Sequence, residues 1–352
     1  MSAQGIWDAS LRTGPQFYSY EIKAPVNQRV SQLAIPVFVI TPVTSRLSID
    51  VGTAFATVHM ERDAQDTGGN PITVTSELSG LTDTQIRANY TFGQDFVVVT
   101  AGVNAPTGSS TVEAEELEAA ALIGSDFLTF PISGFGSGLG FTGGVAVARP
   151  LGTWNVGFGA SIRHSTEFEP GFRTSSGAAM KFQPGAEYRA RMGADRPFGT
   201  GRITLGFTFS KFGDDKADTS IYNTGDRYIG ELGVSNSIGG VDYSLGVWNL
   251  YRTGGTLIDQ SPAARDNITN GLVALGLRTG TIVIEPSLES RMWMRQGSDA
   301  SLLGTLGLRI HVNRGGWAIV PGAAFTMGNL ATATESASLS GFSGTLAIRI
   351  GN

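Results

Sequence analysis

Apolar and polar residues alternate along most of this chain with the two-residue period of a strand whose faces meet different surroundings. Near the C-terminus Phe342, Gly344, Leu346, Ile348 and Ile350 fall on one face, and Ser343, Thr345, Ala347 and Arg349 on the other. Leu302, Leu306, Leu308, Ile310 and Val312 stand opposite Thr305, Arg309, His311 and Asn313. Ile282, Ile284, Leu288, Met292 and Met294 stand opposite Glu285, Ser287, Glu289, Arg291 and Arg295. Phe182, Ala186, Tyr188, Ala190 and Met192 oppose Gln183, Glu187, Arg189, Arg191 and Asp195, and Trp154 to Arg163 and Arg202 to Ser210 alternate likewise. The strands so predicted run about 10–15 residues, against the ~5–6 usual in soluble sheets. A tilted strand crossing a bilayer needs about 9–11.

Turn signals divide these strands into hairpins. Tight turns fall at Thr44-Ser45-Arg46, Gly93-Gln94-Asp95, Gly152-Thr153, Gly199-Thr200-Gly201, Gly239-Gly240, Gly280-Thr281 and Gly315-Gly316. Glycine accepts the positive φ that short hairpins demand. Longer polar connections fall at 63–78, 109–135, 169–181, 215–224 and 255–268. Short turns on one rim and long loops on the other are the construction of bacterial outer-membrane barrels, with the long loops extracellular. The seven hairpins, the segment 337–350 and a strand within Pro15 to Ala24 (PQFYSYEIKA) predict about 16 strands. The expectation is an all-β, closed antiparallel transmembrane barrel, a single domain over 1–352, in a Gram-negative-type outer membrane. Its lipid belt should include Phe158, Phe207, Leu306 and Ile348, and Phe17 to Ala24 should pair near Leu346 to close it. Fourteen strands, with the N-terminus as plug or strap, is the alternative.

Composition agrees. The 352 residues include 48 glycines, no cysteine and 16% charged residues, and mean hydropathy is close to zero, as alternating lipid-facing and lumen-facing positions produce. No apolar run approaches the roughly 18 residues of a membrane helix. The absence of cysteine removes disulfides and thiolate chemistry. A net charge of −5 argues against nucleic acid. No apolar leader follows Met1, and the chain is expected to be a mature sequence with an added start Met, since an exported barrel needs a signal. The expected partners are outer-membrane lipid and a small-molecule solute, with oligomerisation left open and no cofactor implied. Trp154, Tyr188, Tyr228, Tyr243, Tyr251, Trp293 and Trp317 gather toward strand ends, where aromatic girdles sit.

One stretch departs from the strand pattern. Ser109-Ser110 precede Thr111 to Ile123 (TVEAEELEAAALI), and serine followed by early glutamates is a helix start, the carboxylates meeting the positive end of the dipole. A short helix is predicted inside the longest loop. It carries Glu113, Glu115, Glu116 and Glu118, with Asp126 beyond. These acids either face solvent, or the loop folds into the barrel as a constriction and sets them opposite arginines of the wall.

Leu81 to Gly93 (LTDTQIRANYTFG), Gly102 to Gly108 (GVNAPTG), and the helix with Phe130-Pro131 together resemble the outer-membrane transporters of the meta-pathway phenol-degradation family. These are akin in architecture to long-chain fatty-acid transporters. The resemblance covers about a fifth of the chain, and implies uptake of aromatic or other hydrophobic compounds.

Charge on a lipid face near mid-bilayer costs about 2–4 kcal/mol for basic residues, so charged strand positions should point inward. Alternation assigns Asp83, Arg87, Arg163, Glu187, Arg189, Arg191, Arg202, Arg227, Glu231, Glu285, Glu289, Arg291, Arg295, Arg309 and Arg349 to the lumen. Either they form salt-bridge ladders that hold the wall together, or they offer an arginine surface that biases passage toward anions. In the second case Arg189 and Arg191 form the key row, flanked by Arg163 and Arg202. The expected function is therefore a channel for small solutes, anions or aromatic and hydrophobic acids among them. A non-transporting structural barrel or adhesion scaffold is the alternative.

No catalytic or metal site is predicted. The histidines are His59, His164 and His311, and His164-Ser165 are strand neighbours that point to opposite faces. Asp214, Asp215 and Asp218 lack the spacing of a calcium loop and are expected to be solvated.

Overall fold

A computed structural model of the chain describes residues 9–23, 26–93, 96–171, 180–331 and 335–351. It is a closed barrel of sixteen antiparallel strands. In chain order the first eight are β1 (Ser10–Thr13 and Gln16–Lys23), β2 (Gln28–Pro42), β3 (Leu47–Gln65), β4 (Pro71–Leu81 and Thr84–Phe92), β5 (Val97–Ala105), β6 (Gly140–Leu151), β7 (Trp154–Ser165) and β8 (Glu187–Phe198). The second eight are β9 (Gly201–Phe212), β10 (Arg227–Ile238), β11 (Val241–Arg252), β12 (Asp266–Thr279), β13 (Ile282–Arg295), β14 (Ser301–Arg314), β15 (Trp317–Ala331) and β16 (Ser336–Ile350). Each strand pairs with its chain neighbours, and β1 closes the ring on β16, with Phe17 opposite Gly344 and Leu11 opposite Ile350. Closure leaves no backbone edge facing lipid, where each unpaired group would cost several kcal/mol. The expected closing strand is thus present. Its last residue, Ala24, lies outside the described residues, as do Gln94 and Asp95 of one tight turn.

The alternation read from sequence is the alternation of the wall. Phe158, Phe207 and Leu306 project outward and exposed, and Ile348 shares its parity with the outward Phe342 and Ile350. Among the outward cations, two beside the short-turn rim stack on aromatic rings. Arg149 lies over the Phe96 ring at 5.0 Å and Arg196 over Trp154 at 5.9 Å, at the headgroup level where charge is tolerated.

Several boundaries shift. The connection expected at 63–78 is only 66–70, because β3 runs for 19 residues and projects beyond the bilayer. There Asp66 closes the turn by accepting from the Gly68 and Asn70 amides, both at 2.8 Å. Phe182–Gln183 do not extend β8. They pair with Asp215–Ala217, which pairs with Ser220–Tyr222, in a small sheet over the outer rim. Asp215 is buried there, not solvated. It accepts from the Gly185 amide at 2.7 Å, and burial is the main cause that raises its pKa. The helix begins later than Ser109-Ser110 suggested. One 3-10 turn, Ala114–Glu116, leads into α1 (Leu117–Ile123), and Glu116 reaches back to accept from the Glu113 amide at 2.8 Å.

Candidate functional site: the lumen and its plug

The loop between β5 and β6 turns into the barrel. Its Ile123, Phe127, Leu128 and Phe130 are buried against Tyr20, Val30, Val58, Met60, Leu250 and Leu339 of the inner wall. Burying four such side chains contributes about 1.5–3 kcal/mol each. Tyr20 meets Phe130 edge-to-face at 5.3 Å, and Phe127 meets Trp293 at 5.4 Å. Trp293 is therefore a lumen residue, not part of an interfacial girdle. It shares the parity of Arg291 and Arg295 on β13, and the tendency of tryptophan to gather at interfaces misassigned it.

Polar contacts fix the plug's position. Buried Gln32 acts as a short strand partner, donating to the Ile132 carbonyl at 2.7 Å and accepting from its amide at 2.9 Å. Tyr20 donates its hydroxyl to the Leu128 carbonyl at 3.0 Å. Arg291 donates to the Phe127 carbonyl at 2.6 Å and to the Thr129 hydroxyl at 2.9 Å, bracing a backbone that takes φ +53° at Thr129.

Both ends of the plug are gathered by one carboxylate. Asp83 lies where β4 breaks. Before the break Leu81 stands opposite Phe55, and after it Gln85 stands opposite Gly52, so pairing with β3 slips by one residue. The slip turns Asp83 inward. It accepts from Gly108 at 3.1 Å, where the loop leaves β5, and from the Ser137 amide at 2.7 Å, where the loop returns to β6. Asn104 donates to it at 2.9 Å. Residue 108 must be glycine, since a Cβ there would lie 2.2 Å from the Phe135 carbonyl oxygen.

Two of the five loop acids reach the wall. Glu118 pairs with Arg62 at 3.2 Å and accepts from Gln28. Asp126 pairs with Arg252 at 2.5 Å and approaches Arg227 at 3.9 Å. Glu116 caps the helix start, while Glu113 and Glu115 have no wall partner among the described residues.

On the wall most lumen arginines hold a carboxylate. Arg189 pairs with Glu187 at 2.7 Å, Arg191 with Glu231 at 3.1 Å, Arg202 with Asp195 at 2.9 Å, Arg309 with Glu285 at 3.1 Å, and Arg291 with Glu289 at 2.5 Å. Arg295 is 4.0 Å from Asp266. Arg12 and Arg349 at the closing seam have no carboxylate partner among the described residues, and Arg163 and Arg87 also differ. Glu187 is the register partner of Arg163 but pairs with Arg189. Asp50 is the register partner of Arg87 but accepts from Asn89 at 2.8 Å. Among the described residues neither arginine has an ion-pair partner.

Both line the same two cavities. One, of about 360 Å³, lies against β4 to β8 and is bounded by Arg87, Arg163, Glu187, Arg189 and Arg191. Its other wall positions are small, among them Thr100, Gly102, Gly144, Gly159 and Ser161, which leaves the lumen wide on that side. The other, of about 640 Å³, lies beneath the plug between Ser133 to Ser137 and the wall, and reaches Phe38. A third, of about 280 Å³, opens toward the outer rim and is lined by Val112, Ile123, Phe135, Phe168, Phe182 and Tyr222.

Arg62, Arg252, Gln32 and Phe38 were missed by sequence reasoning. Arg62 and Arg252 alternate correctly for lumen positions but sit at strand ends, where loop and strand chemistry look alike. His164 and Ser165 stand on opposite faces, with Ser165 buried.

No family model matches the chain, and no curated protein matches it in sequence. Solved structures match along nearly its full length. A bacterial polysaccharide outer-membrane secretin is 10% identical, with 99% of each chain covered and a TM-score of 0.51. A mutant of TodX, a monoaromatic hydrocarbon channel, is 9% identical, with 98% of this chain and 91% of that chain covered and a TM-score of 0.51. An outer-membrane channel from Pseudomonas putida F1 is 11% identical, with 99% and 96% covered and a TM-score of 0.42. Identity at this level speaks for the fold alone. A closed barrel with an outward apolar belt, of the fold that outer-membrane proteins use, is a lipid-embedded outer-membrane barrel.

Proposed function

We propose that this chain is an outer-membrane channel whose polar passage runs beside a fixed apolar plug and favours small anions. The observation that carries the reading is Arg87 with Arg163. They are unpaired cations on a wall where Arg189, Arg191 and Arg202 are neutralised by their own carboxylates. Unpaired charge on a low-dielectric wall raises the local potential and concentrates counter-ions. The paired arginines act as rungs that brace the wall, and the plug loop narrows the way above them. The test is reversal potential across a planar bilayer in a KCl gradient. R87S/R163S should lower the anion-to-cation permeability ratio, more so at low salt, where screening is weaker. R189S/R191S also frees Glu187 and Glu231, so it should lower the ratio through those acids. Adding E187Q/E231Q should restore it. If R87S/R163S leaves the reversal potential unchanged, the selectivity reading fails.

A second reading has its own observation. The outer cavity, ringed by Phe135, Phe168, Phe182 and Tyr222, suits an apolar or aromatic solute, the class that the meta-pathway resemblance implies and that TodX is described as passing. F168A/F182A should then slow toluene uptake by cells and leave KCl conductance intact. Equal uptake would remove this reading.

A further inference from the structure

At the barrel's closing seam, the first rungs of β1 set Arg12 opposite Arg349 on one side and opposite Phe38 on the other. All three line a cavity of about 350 Å³ at the short-turn end of the lumen, together with Gln16, Pro36 and His311. Like charges directly across a ladder destabilise it. Here nothing on the wall offsets them, since neither guanidinium has a carboxylate partner among the described residues. The inward acids nearest in the ring are engaged elsewhere: Glu285 on β13 lies 3.1 Å from Arg309 and 3.3 Å from His311, and Asp50 on β3 accepts from Asn89 at 2.8 Å. Phe38 is the second anomaly. It points inward yet is 50% exposed. Its ring stands over Gly52, where a Cβ would fall 2.7 Å from the ring, and it borders the cavity beneath the plug as well as the seam cavity. An aromatic ring with open space beside it is a stacking surface.

We propose that the seam is a binding site for a planar organic anion. The carboxylate is held by the Arg12 and Arg349 forks, and the flat apolar ring lies on Phe38. Arginine suits the task because its planar guanidinium meets a carboxylate through two parallel hydrogen bonds. The bound anion removes the repulsion between the two cations, so binding also tightens the seam. The site's cations are other than Arg87 and Arg163, although Phe38 also borders the cavity that those two line. It rests on the proposed channel only in that a solute must reach the lumen from solution.

Calorimetric titration of the full-length protein in detergent tests this without any transport. The probes are benzoate, acetate and benzyl alcohol. Benzoate should bind about tenfold more tightly than either of the others, since it alone supplies both charge and ring. R12S/R349S should reduce benzoate to the level of benzyl alcohol, and F38A should reduce it to the level of acetate. R12K/R349K, which keeps the charges at the seam but loses the forks, should bind benzoate more weakly than the native protein and more tightly than R12S/R349S. Heat-dependent gel mobility establishes that each variant is a folded barrel. Equal affinity for the three probes, or benzoate affinity unchanged in folded R12S/R349S, overturns the proposal. Neither result touches the reversal potential that Arg87 and Arg163 are proposed to set, so the two readings fail separately.

Discussion

At the scale of single residues, the sequence shows which way a side chain points better than it shows what the side chain meets. Period-two alternation put Arg163, Arg189 and Arg191 on one inward face because a strand has only two faces. It could not tell that Arg189 and Arg191 have acids of their own, since Glu231 is 40 residues from Arg191 and is brought to it by the β8–β9–β10 register. Asp83 was legible as an inward acid, but its work depends on a one-residue slip in pairing that no local pattern announces. D83N removes the charge from the bonds that Gly108 and Ser137 donate. Hydrogen bonds to a charged group contribute about 1.5–3 kcal/mol. The amides of Gly108 and Ser137 should therefore exchange with solvent about tenfold faster or more in D83N, and protection equal to the native protein would show that the plug is anchored elsewhere.

At the scale of elements, the strands were readable and the loops were not. A strand of the wall must satisfy lipid on one side and water or plug on the other, so its pattern is strict. The loop from 106 to 139 carries both a solvated acidic start and a buried apolar end. Glu113 and Glu115 suggested a surface helix, whereas Phe127, Leu128 and Phe130 need the barrel interior. Q32L tests how the plug is held. The substitution leaves the Ile132 amide and carbonyl unpaired in a buried place, at about 1–3 kcal/mol each. Thermal unfolding should show a lowered midpoint, and an unchanged midpoint would mean that water replaces Gln32. The small outer sheet carries a pH dependence. Burial raises the pKa of Asp215, the Gly185 amide opposes that, and the Asp214 charge adds to it. A raised carboxyl favours its protonated form in the folded sheet. Its contribution to stability is thus complete below the ordinary carboxyl value and is lost as pH rises through the raised one. Amide exchange around Asp215–Ala217 should slow on acidification through that range in the native protein, and should lose the dependence in D215N.

At the scale of the whole molecule, strand number was legible because hairpins come in pairs and a closed ring needs an even count. The segment near Phe17 was the remaining candidate to close it. The interior was not legible, because a pattern of alternation is the same for an empty lumen and a plugged one. Sixteen strands enclose more space than the wall's side chains fill. The plug occupies the part against β1 to β4 and β11 to β16, and the small side chains of β5 to β7 face what is left. Whether this remainder conducts is decided by single-channel recording of the purified native protein in planar bilayers. A conducting lumen should give discrete, stable conductance steps in KCl with a reversal potential on the anion side of zero in a salt gradient. A folded, inserted barrel that stays electrically silent would contradict it and leave a structural scaffold in its place.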